Sequence, residues 1–189
     1  MNALIIVVSV FILAMVLFFY ELLRVPAGIE REHHIEGSKI FSRTRIVTAA
    51  SPDEVLRVLQ TDWSWWRRAG VGPMKDIGDG RKEFVFHPMR FLNLIQNPTH
   101  FLVRFERTEK LPDGGARIHA SLKGDFDGLA EYVARPGKGG TIVELAWCGA
   151  EVKNFNRYAP TALVAAIHCW RERIGIEGLR DRLKAASAH

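Results

Sequence analysis

The sequence has little that would support covalent chemistry. Its only cysteines are Cys148 and Cys169, which form no C-x-x-C pair and have no metal-ligand spacing to a histidine. There is no G-x-S-x-G elbow, and His168 is adjacent to Cys169, so in a helix their side chains would point about 100° apart. These absences argue against nucleophilic catalysis. Two free thiols also do not require an oxidising compartment.

Clustered metal ligands are also lacking. One adjacent pair, His33 and His34, lies in a polar segment. Four further histidines that could ligate a metal lie singly on separate predicted elements: His87, His100, His119 and His168. Metal hydrolases usually carry H-x-x-x-H or a comparable cluster. The sequence therefore predicts no metal site and no cofactor.

The chain contains no block of like charge. It has 189 residues, of which 48% are hydrophobic and 25% charged, and its formal net charge is +5. Basic and acidic residues alternate along the chain, without a zinc-finger, RNP-type or basic-helix motif. We therefore expect no nucleic-acid partner. The excess of positive charge is typical of a protein that lies beside an anionic membrane surface. The chain length allows about one domain of usual size in addition to an anchor.

A long apolar run is present at the N-terminus. From Ala3 to Tyr20 the chain reads ALIIVVSVFILAMVLFFY, in which Ser9 is the only clearly polar residue. This run, extended by Leu22 and Leu23, is long enough to cross a bilayer core of ~30 Å as a helix. No basic n-region precedes it, unlike the pattern of a cleaved signal peptide. Residues 1–25 are therefore predicted to form an uncleaved transmembrane anchor.

Flanking charges predict the orientation of this anchor. No Lys or Arg precedes the run, whereas Arg24, Arg31 and Lys39 follow it closely. The positive-inside rule then places the C-terminal part in the cytoplasm. We therefore expect a single-pass protein of an inner or plasma membrane, with a polar connector over residues 26–39.

The remainder alternates between strand and helix patterns. The segment Ile40–Ala49 is rich in β-branched residues and predicts a strand. Ser51-Pro52-Asp53-Glu54 forms a capping box, which predicts a short helix beginning at Pro52. Next comes Asp62-Trp63-Ser64-Trp65-Trp66, an aromatic cluster that either packs one end of a domain or lines a binding cavity. From Met74 to Val152, short alternating segments separated by Gly, Pro and Asp predict antiparallel hairpins.

The last segment has helical periodicity. Pro160 opens a run whose apolar residues recur at three- and four-residue steps: Leu163, Ile167, Trp170 and Ile174. This spacing predicts a long amphipathic helix. Gly175 and Gly178 would each weaken it by up to ~1 kcal/mol relative to alanine, and we expect them to permit close approach of another backbone.

Several motifs together resemble one known superfamily. They are Ser51-Pro52-Asp53-Glu54-Val55 after a strand, Trp63 and Trp66, Gly124-Asp125-Phe126-Asp127-Gly128, Gly139-Gly140-Thr141-Ile142-Val143, and Gly178-Leu179-Arg180-Asp181-Arg182-Leu183. With them the chain resembles the START-like (SRPBCC) superfamily of polyketide cyclases, lipid-transfer domains and pathogenesis-related allergens. The resemblance covers residues 40–186. It implies an α+β helix-grip fold, in which an antiparallel sheet wraps around a long C-terminal helix and leaves an apolar cavity between them.

The resemblance also implies a hydrophobic small-molecule partner, and we expect a lipid, quinone or isoprenoid. The predicted anchor, which departs from the plain soluble members, suggests that this molecule is collected from the lipid bilayer. Residues on apolar faces that should converge around it are Phe84, Phe86, Phe101, Val103, Phe105, Ile118, Trp147, Ile167 and Trp170. Binding would be driven by desolvation, at ~0.8 kcal/mol for each buried CH₂ group. A filled core would produce the same set of residues.

Two alternatives remain open. The first is a cyclase or dehydratase in which Glu131 or Glu144 is the general base, because each shares a predicted strand face with apolar residues. A slip of strand parity at a bulge would instead turn both carboxylates to water. The second is an accessory subunit of a larger membrane complex, with a filled interior. The sequence does not choose among these functions.

Overall fold

The computed structural model describes residues 2–69, 71–72, 74–79, 81–86, 99–153 and 160–186. The elements follow the chain in this order: α1 (Asn2–Leu23), β1 (Ile29–Glu36), β2 (Lys39–Thr48), α2 (Pro52–Thr61), a 3-10 helix (Ser64–Ala69), β3 (Lys75–Asp76), β4 (Arg81–Phe86), β5 (Thr99–Lys110), β6 (Ala116–Gly124), β7 (Phe126–Gly137), β8 (Gly140–Val152) and α3 (Thr161–Ala186).

The strands form one eight-stranded sheet in the order β1-β2-β8-β7-β6-β5-β4-β3. Every neighbouring pair is antiparallel. Strands β3 to β8 are consecutive neighbours, as short connections require, whereas β2 pairs with the last strand. The face of the sheet that packs against α2 and α3 is called the inner face below. A large antiparallel sheet with a C-terminal helix confirms the α+β architecture predicted from the sequence.

Strand β1 lies where a connector was predicted over residues 26–39. It pairs with β2 over its whole length, from Ile29 opposite Ile46 to Glu36 opposite Lys39. Strand β1 is an edge strand, most of its side chains are exposed, and only Ile29 enters the core. Its sequence therefore lacks the alternation by which a half-buried strand is recognised. The sheet begins at residue 29 and not at residue 40.

The N-cap predicted before α2 is confirmed at Ser51, whereas the Glu54 carboxylate pairs with Arg57 and does not close the capping box. Ser51 has extended backbone angles, and its Oγ accepts a hydrogen bond from the Glu54 backbone N–H at 3.2 Å. The helix that follows buries Val55, Val58 and Leu59 completely against the sheet. The start of α2 could be predicted from a short sequence motif, because the Ser51 side chain supplies a hydrogen-bond acceptor to the first turn of the helix.

Helix α3 buries a different face from the one predicted. Leu163 is exposed, and the other three residues of the predicted stripe are only half-buried: Ile167, Trp170 and Ile174. The buried face instead carries His168, Glu172, Ile176, Leu179 and Leu183. The periodicity of hydrophobic residues did not reveal this face, because polar residues occupy two of its helical turns.

Glycines in α3 allow the helix to approach the 3-10 helix closely, as the sequence predicted. A Cβ atom at Gly178 would overlap the Trp65 carbonyl oxygen. One at Gly175 would lie 2.7 Å from the indole ring of Trp66. Both positions therefore require glycine for steric reasons, although glycine weakens a helix.

Helix α1 contains the apolar run. Its described side chains are mostly apolar and exposed, among them Ile6, Val7, Val10, Ile12, Leu13, Val16 and Leu17. The side chains of residues 2–5, 11, 14, 18–19 and 21–23 lie outside the described set. Within the part of the chain that is described, no helix has the length and apolarity needed to cross a membrane.

Gly178→Ala tests the close approach of α3. In an open helix this substitution would add up to ~1 kcal/mol of stability. Here we expect the free energy of unfolding to fall by about 1–3 kcal/mol, because the new methyl group meets backbone that cannot move aside. Gly175→Ala, which meets a side chain, should cost less. Urea denaturation monitored by tryptophan fluorescence measures both, and a stabilised Gly178→Ala variant would contradict the packing described.

Candidate functional site

An aromatic cluster centred on Trp63 fills one part of the interior. Trp63 is buried, and its ring centroid lies 4.9 Å from Phe84, 5.4 Å from Trp65, 5.6 Å from Phe105 and 5.7 Å from Tyr132. Of the two interpretations of the tryptophan segment, the structure places Trp63 and Trp65 within the main core. Trp65 belongs to the 3-10 helix and Trp63 directly precedes that helix, so both pack into the core from this side.

A polar cluster lies where β2 faces α3. Ser42 and Thr44 alternate along β2, and His168 and Glu172 are one turn apart on α3, so each pair shares a face. Ser42 Oγ lies 3.3 Å from His168 Nε2, which lies 3.9 Å from Glu172 Oε2. All four side chains are at least nine-tenths buried. This set of residues is called the β2–α3 cluster.

Burial controls the charges in the β2–α3 cluster. It raises the pKa of Glu172 from 4.5 to about 7, although the hydroxyls of Thr44 and Ser42 and the charge of Arg31 act to lower it. It also lowers the pKa of His168 from 6.5 to about 3, with a smaller contribution from the charge of Arg171. Near neutral pH, His168 is therefore uncharged, and burial favours the protonated form of Glu172.

Trp63 Nε1 and Trp65 Nε1 are buried without a hydrogen-bond partner among the described residues, whereas the buried Thr44 hydroxyl interacts with the carboxyl group of Glu172. Tyr132 lies between the two groups, since it contacts Trp63, and the charge of Glu172 adds to burial in raising the pKa of the Tyr132 hydroxyl. Buried polar atoms in proteins nearly always have a partner. The interior therefore contains polar atoms as well as aromatic rings.

An apolar wall flanks the cluster. The ring of Trp147 stacks on His168 at 3.5 Å and lies 5.0 Å from Phe126. Trp147 is half-buried and packs against both hydrophobic clusters of the core. The β2–α3 cluster thus combines a polar centre with aromatic walls, which is typical of sites for small organic ligands.

The β2–α3 cluster does not have the geometry of a catalytic triad. Ser42 and Glu172 both approach Nε2 of His168, whereas a triad uses one ring nitrogen for the nucleophile and the other for the carboxylate. What the arrangement can do is hold a polar group and exchange a proton through Glu172. No group of three or more metal-ligating side chains occurs among the residues that the structure describes.

Glu131, predicted to point inward, lies on the outer face of β7. Its carboxylate contacts His119 Nδ1 at 3.3 Å and Arg117 Nε at 3.7 Å, and it is 31% exposed. The inner positions of β7 are taken by Ala130, Tyr132 and Ala134. The predicted inward orientation was wrong because Leu129, which suggested a buried face, is itself exposed.

Glu144 also lies on the outer face, contrary to the prediction. It forms ion pairs with Arg43 and Arg45 of β2, each at 3.1 Å. The inner face of β8 instead carries Val143 and Leu145. Both faces of β8 bear apolar residues, so the alternation of the sequence could not set the parity of the strand.

The predicted ligand-contacting residues fall into three groups. Phe84, Val103 and Ile118 are fully buried in the main core, and Phe105 and Trp147 pack partly buried against it. Ile167 and Trp170 are half-buried on α3. Phe86 and Phe101 belong to β4 and β5, but their side chains lie outside the described residues. Contact of any of these with a ligand stays a prediction.

The residues of the β2–α3 cluster were missed as a site. The available signal was a His168–Glu172 pair at i and i+4 on α3, together with a strand in which Ser42 and Thr44 alternate with Arg43 and Arg45. Both patterns look like solvated faces when each element is considered alone. Only the packing of α3 on β2 makes them internal.

Comparison with known proteins identifies the architecture. Neither a family model nor a curated protein sequence matches the chain. Human StAR-related lipid transfer protein 5 superposes with a TM-score of 0.62 at 12% identity, over 87% of this chain and 86% of that one. The fold is START-like. Identities this low show the fold alone.

Two bacterial structures have the same fold. A STAR-related lipid transfer protein from Xanthomonas axonopodis has a TM-score of 0.57 at 15% identity, covering 85% of this chain and 96% of that one. A START superfamily protein from Mycobacterium smegmatis has a TM-score of 0.57 at 11% identity, covering 82% of this chain and 99% of that one. Each of these superpositions covers more than four-fifths of this chain.

Glu172→Gln tests the burial of the carboxyl group. The pKa of Glu172 is raised on folding, so between about pH 4.5 and 7 the native state keeps a proton that the unfolded state loses. Stability from this group is therefore lost as the pH rises through that window. A glutamine side chain does not ionise, so the variant does not lose this stability as the pH rises. We expect the variant to gain up to about 3 kcal/mol over the wild type at about pH 8 and little at about pH 4.

The measurement is the free energy of unfolding of both proteins across this pH range. Glu177→Gln, half-buried on the same helix, is the matched control. His168 affects both proteins alike, because its lowered pKa removes stability as the pH falls from 6.5 towards 3. A difference between wild type and Glu172→Gln that does not change with pH would contradict the buried carboxyl group.

Proposed function

We propose that this protein binds a hydrophobic small molecule, such as a lipid, quinone or isoprenoid, between the inner sheet face and α3. The observation that carries the proposal is the β2–α3 cluster, which buries two hydroxyls, an imidazole and a carboxyl group beside Trp147 inside a START-like fold. Two of the proteins with this fold are named lipid transfer proteins. Binding and carriage, without chemical conversion, is the function that these observations support best.

The energetics of the interior favour an apolar ligand with a small polar group. Each CH₂ group removed from water contributes ~0.8 kcal/mol, so an alkyl or prenyl chain needs no directional contacts. The aromatic rings of Trp63 and Phe105 contact Tyr132, and the ring of Trp147 lies against His168. The polar atoms of the β2–α3 cluster would then orient one end of the molecule.

Mass spectrometry of solvent extracts tests the proposed binding. We expect the full-length protein, purified gently from its own membranes, to retain one apolar compound stoichiometrically. Trp147→Ala should lower that amount several-fold, because it removes the wall beside His168. Leu163→Ala, at an exposed position of α3, is the control. Recovery of bulk lipid alone, unchanged by Trp147→Ala, would favour a filled core and a structural role in a membrane complex.

We further propose that α1 anchors the domain to a membrane. The described side chains from Ile6 to Leu17 are apolar or small and largely exposed, and a bilayer would remove this surface from water. Arg24 and Arg31 follow the helix, which favours a cytoplasmic location for the domain. Arg173 Nη1 donates to the Arg24 carbonyl at 3.2 Å, so α3 lies against the end of α1. A ligand leaving the bilayer would then have a short path to the interior.

Paired arginine substitutions test the anchor. Val10→Arg with Leu13→Arg should release the protein from carbonate-washed membranes into the supernatant, because each charge costs ~2.5–3.5 kcal/mol at the centre of a spanning helix. Val10→Leu with Leu13→Ile preserves apolarity and should remain in the membrane pellet. Recovery of the wild-type protein in the supernatant would exclude the anchor while leaving the ligand proposal intact.

A further inference from the structure

We infer that the START-like domain does not swing on its anchor but is held at one orientation on the bilayer surface by arginine side chains at the end of α1. Residues 24–31, called the junction below, are the segment that these side chains hold. The middle of α3 would then face the lipid headgroups. This inference rests on the proposed anchor and adds the side of the domain that meets the membrane.

The junction leaves little chain between α1 and the sheet. Helix α1 ends at Leu23, and the Arg24 N–H still donates to the Tyr20 carbonyl at 2.9 Å. Strand β1 begins at Ile29, which is buried in the main core. The residues between them, 24–28, span at most about 18 Å when fully extended. An unrestrained segment of this length would keep the domain near the bilayer but would let it tilt and rotate.

Two arginines of α3 donate to carbonyl groups of the junction. Arg173 Nη1 donates to the Arg24 carbonyl at 3.2 Å. Arg180 Nη1 donates to the Ala27 carbonyl at 3.4 Å. The last carbonyls of a helix have no partner within that helix, and they form the negative end of its dipole. A guanidinium group suits this place because it stays charged and presents its donors in a fixed geometry.

The other end of the junction is held as well. Arg31 Nη1 donates to the carbonyl of Cys169 on α3 at 3.2 Å. Before it, a turn is closed by the Ile29 N–H, which donates to the Pro26 carbonyl at 3.2 Å. Gly28, at the third position of this turn, has φ +76°, a value that favours glycine. The junction is therefore fixed at its start, middle and end.

These contacts decide which side of the domain meets the membrane. Cys169 and Arg173 are one turn apart on α3, and both contact the junction. In an anchored protein the end of α1 lies at the bilayer surface. The middle turn of α3, which carries the half-buried Trp170, then lies at the level of the headgroups. Tryptophan is enriched at this depth because its ring is amphipathic.

The distance between α1 and the sheet tests the fixed orientation. Spin labels are attached in phosphatidylcholine nanodiscs to the exposed native Cys148 on β8 and to a second site created by Leu13→Cys on α1. Cys169 is buried and stays unlabelled. We expect double electron–electron resonance on the full-length protein to give a single narrow distance distribution, because α1 and the sheet move together.

Variants then locate the restraint. Arg173→Gln with Arg180→Gln should widen the distribution about twofold or more, because the junction becomes a flexible linker. Arg67→Gln with Lys184→Gln removes two positive charges from exposed positions and should leave it narrow. If the first variant does not fold, a six-residue Gly-Ser insertion after Val25 frees the junction with every arginine retained, and should widen the distribution to the same extent.

Tryptophan quenching tests which side faces the membrane. We expect brominated phosphatidylcholine in the nanodisc to lower the fluorescence of the wild-type protein, and Trp170→Phe to remove most of this quenching. Trp147→Phe, a matched change in the interior, should preserve it.

The outcomes separate this inference from the proposals on which it rests. A broad distribution in the wild-type protein would overturn the fixed orientation and leave both the anchor and ligand binding standing. A distribution that stays narrow after the insertion would overturn the role of the junction. Quenching that survives in Trp170→Phe would overturn the placement of α3 at the headgroups. Failure of the wild-type protein to enter nanodiscs would overturn the anchor itself.

Discussion

Gly175 and Gly178 let α3 lie against the Trp65–Trp66 segment at a separation that a Cβ atom would not tolerate. The rest of the interior depends on this contact. It fixes the rotation of α3, and that rotation turns His168 and Glu172 towards β2. The same contact holds Trp65 inside the core, where it stacks on Trp63. A helix displaced outwards would leave the β2–α3 cluster open to water, and Glu172 would lose the environment that raises its pKa.

Stability and binding make opposite demands on this interior. Most of the inner face is filled by aliphatic side chains that exclude water completely, among them Ile118, Leu122, Ile176, Leu179 and Leu183. The β2–α3 cluster instead buries a carboxyl group and two hydroxyls, and burial of polar atoms without partners lowers stability. A folded protein tolerates such a cluster when the hydrophobic packing around it stabilises the fold by more than the cluster destabilises it.

The accuracy of sequence reasoning differed between elements for physical reasons. The start of α2 was predictable because Ser51 caps its own helix at short range. Strand β1 was not, since an edge strand with mostly exposed side chains has no hydrophobic alternation. The two carboxylates proposed as bases, Glu131 and Glu144, pair with basic residues on the outer face. Their orientation depends on which of two apolar faces the sheet turns inwards, and neighbouring elements make that choice.

By itself the sequence determined the local features of this protein. These are the apolar run of α1, the first turn of α2, the hairpin turns, and the glycines that bring α3 close to its neighbour. Tertiary structure alone decided which side chains became internal. Ser42, Thr44, His168 and Glu172 are polar, and only the burial of β2 against α3 removes them from water. A buried polar site arises from packing between distant segments, so it leaves no periodic pattern in either segment alone.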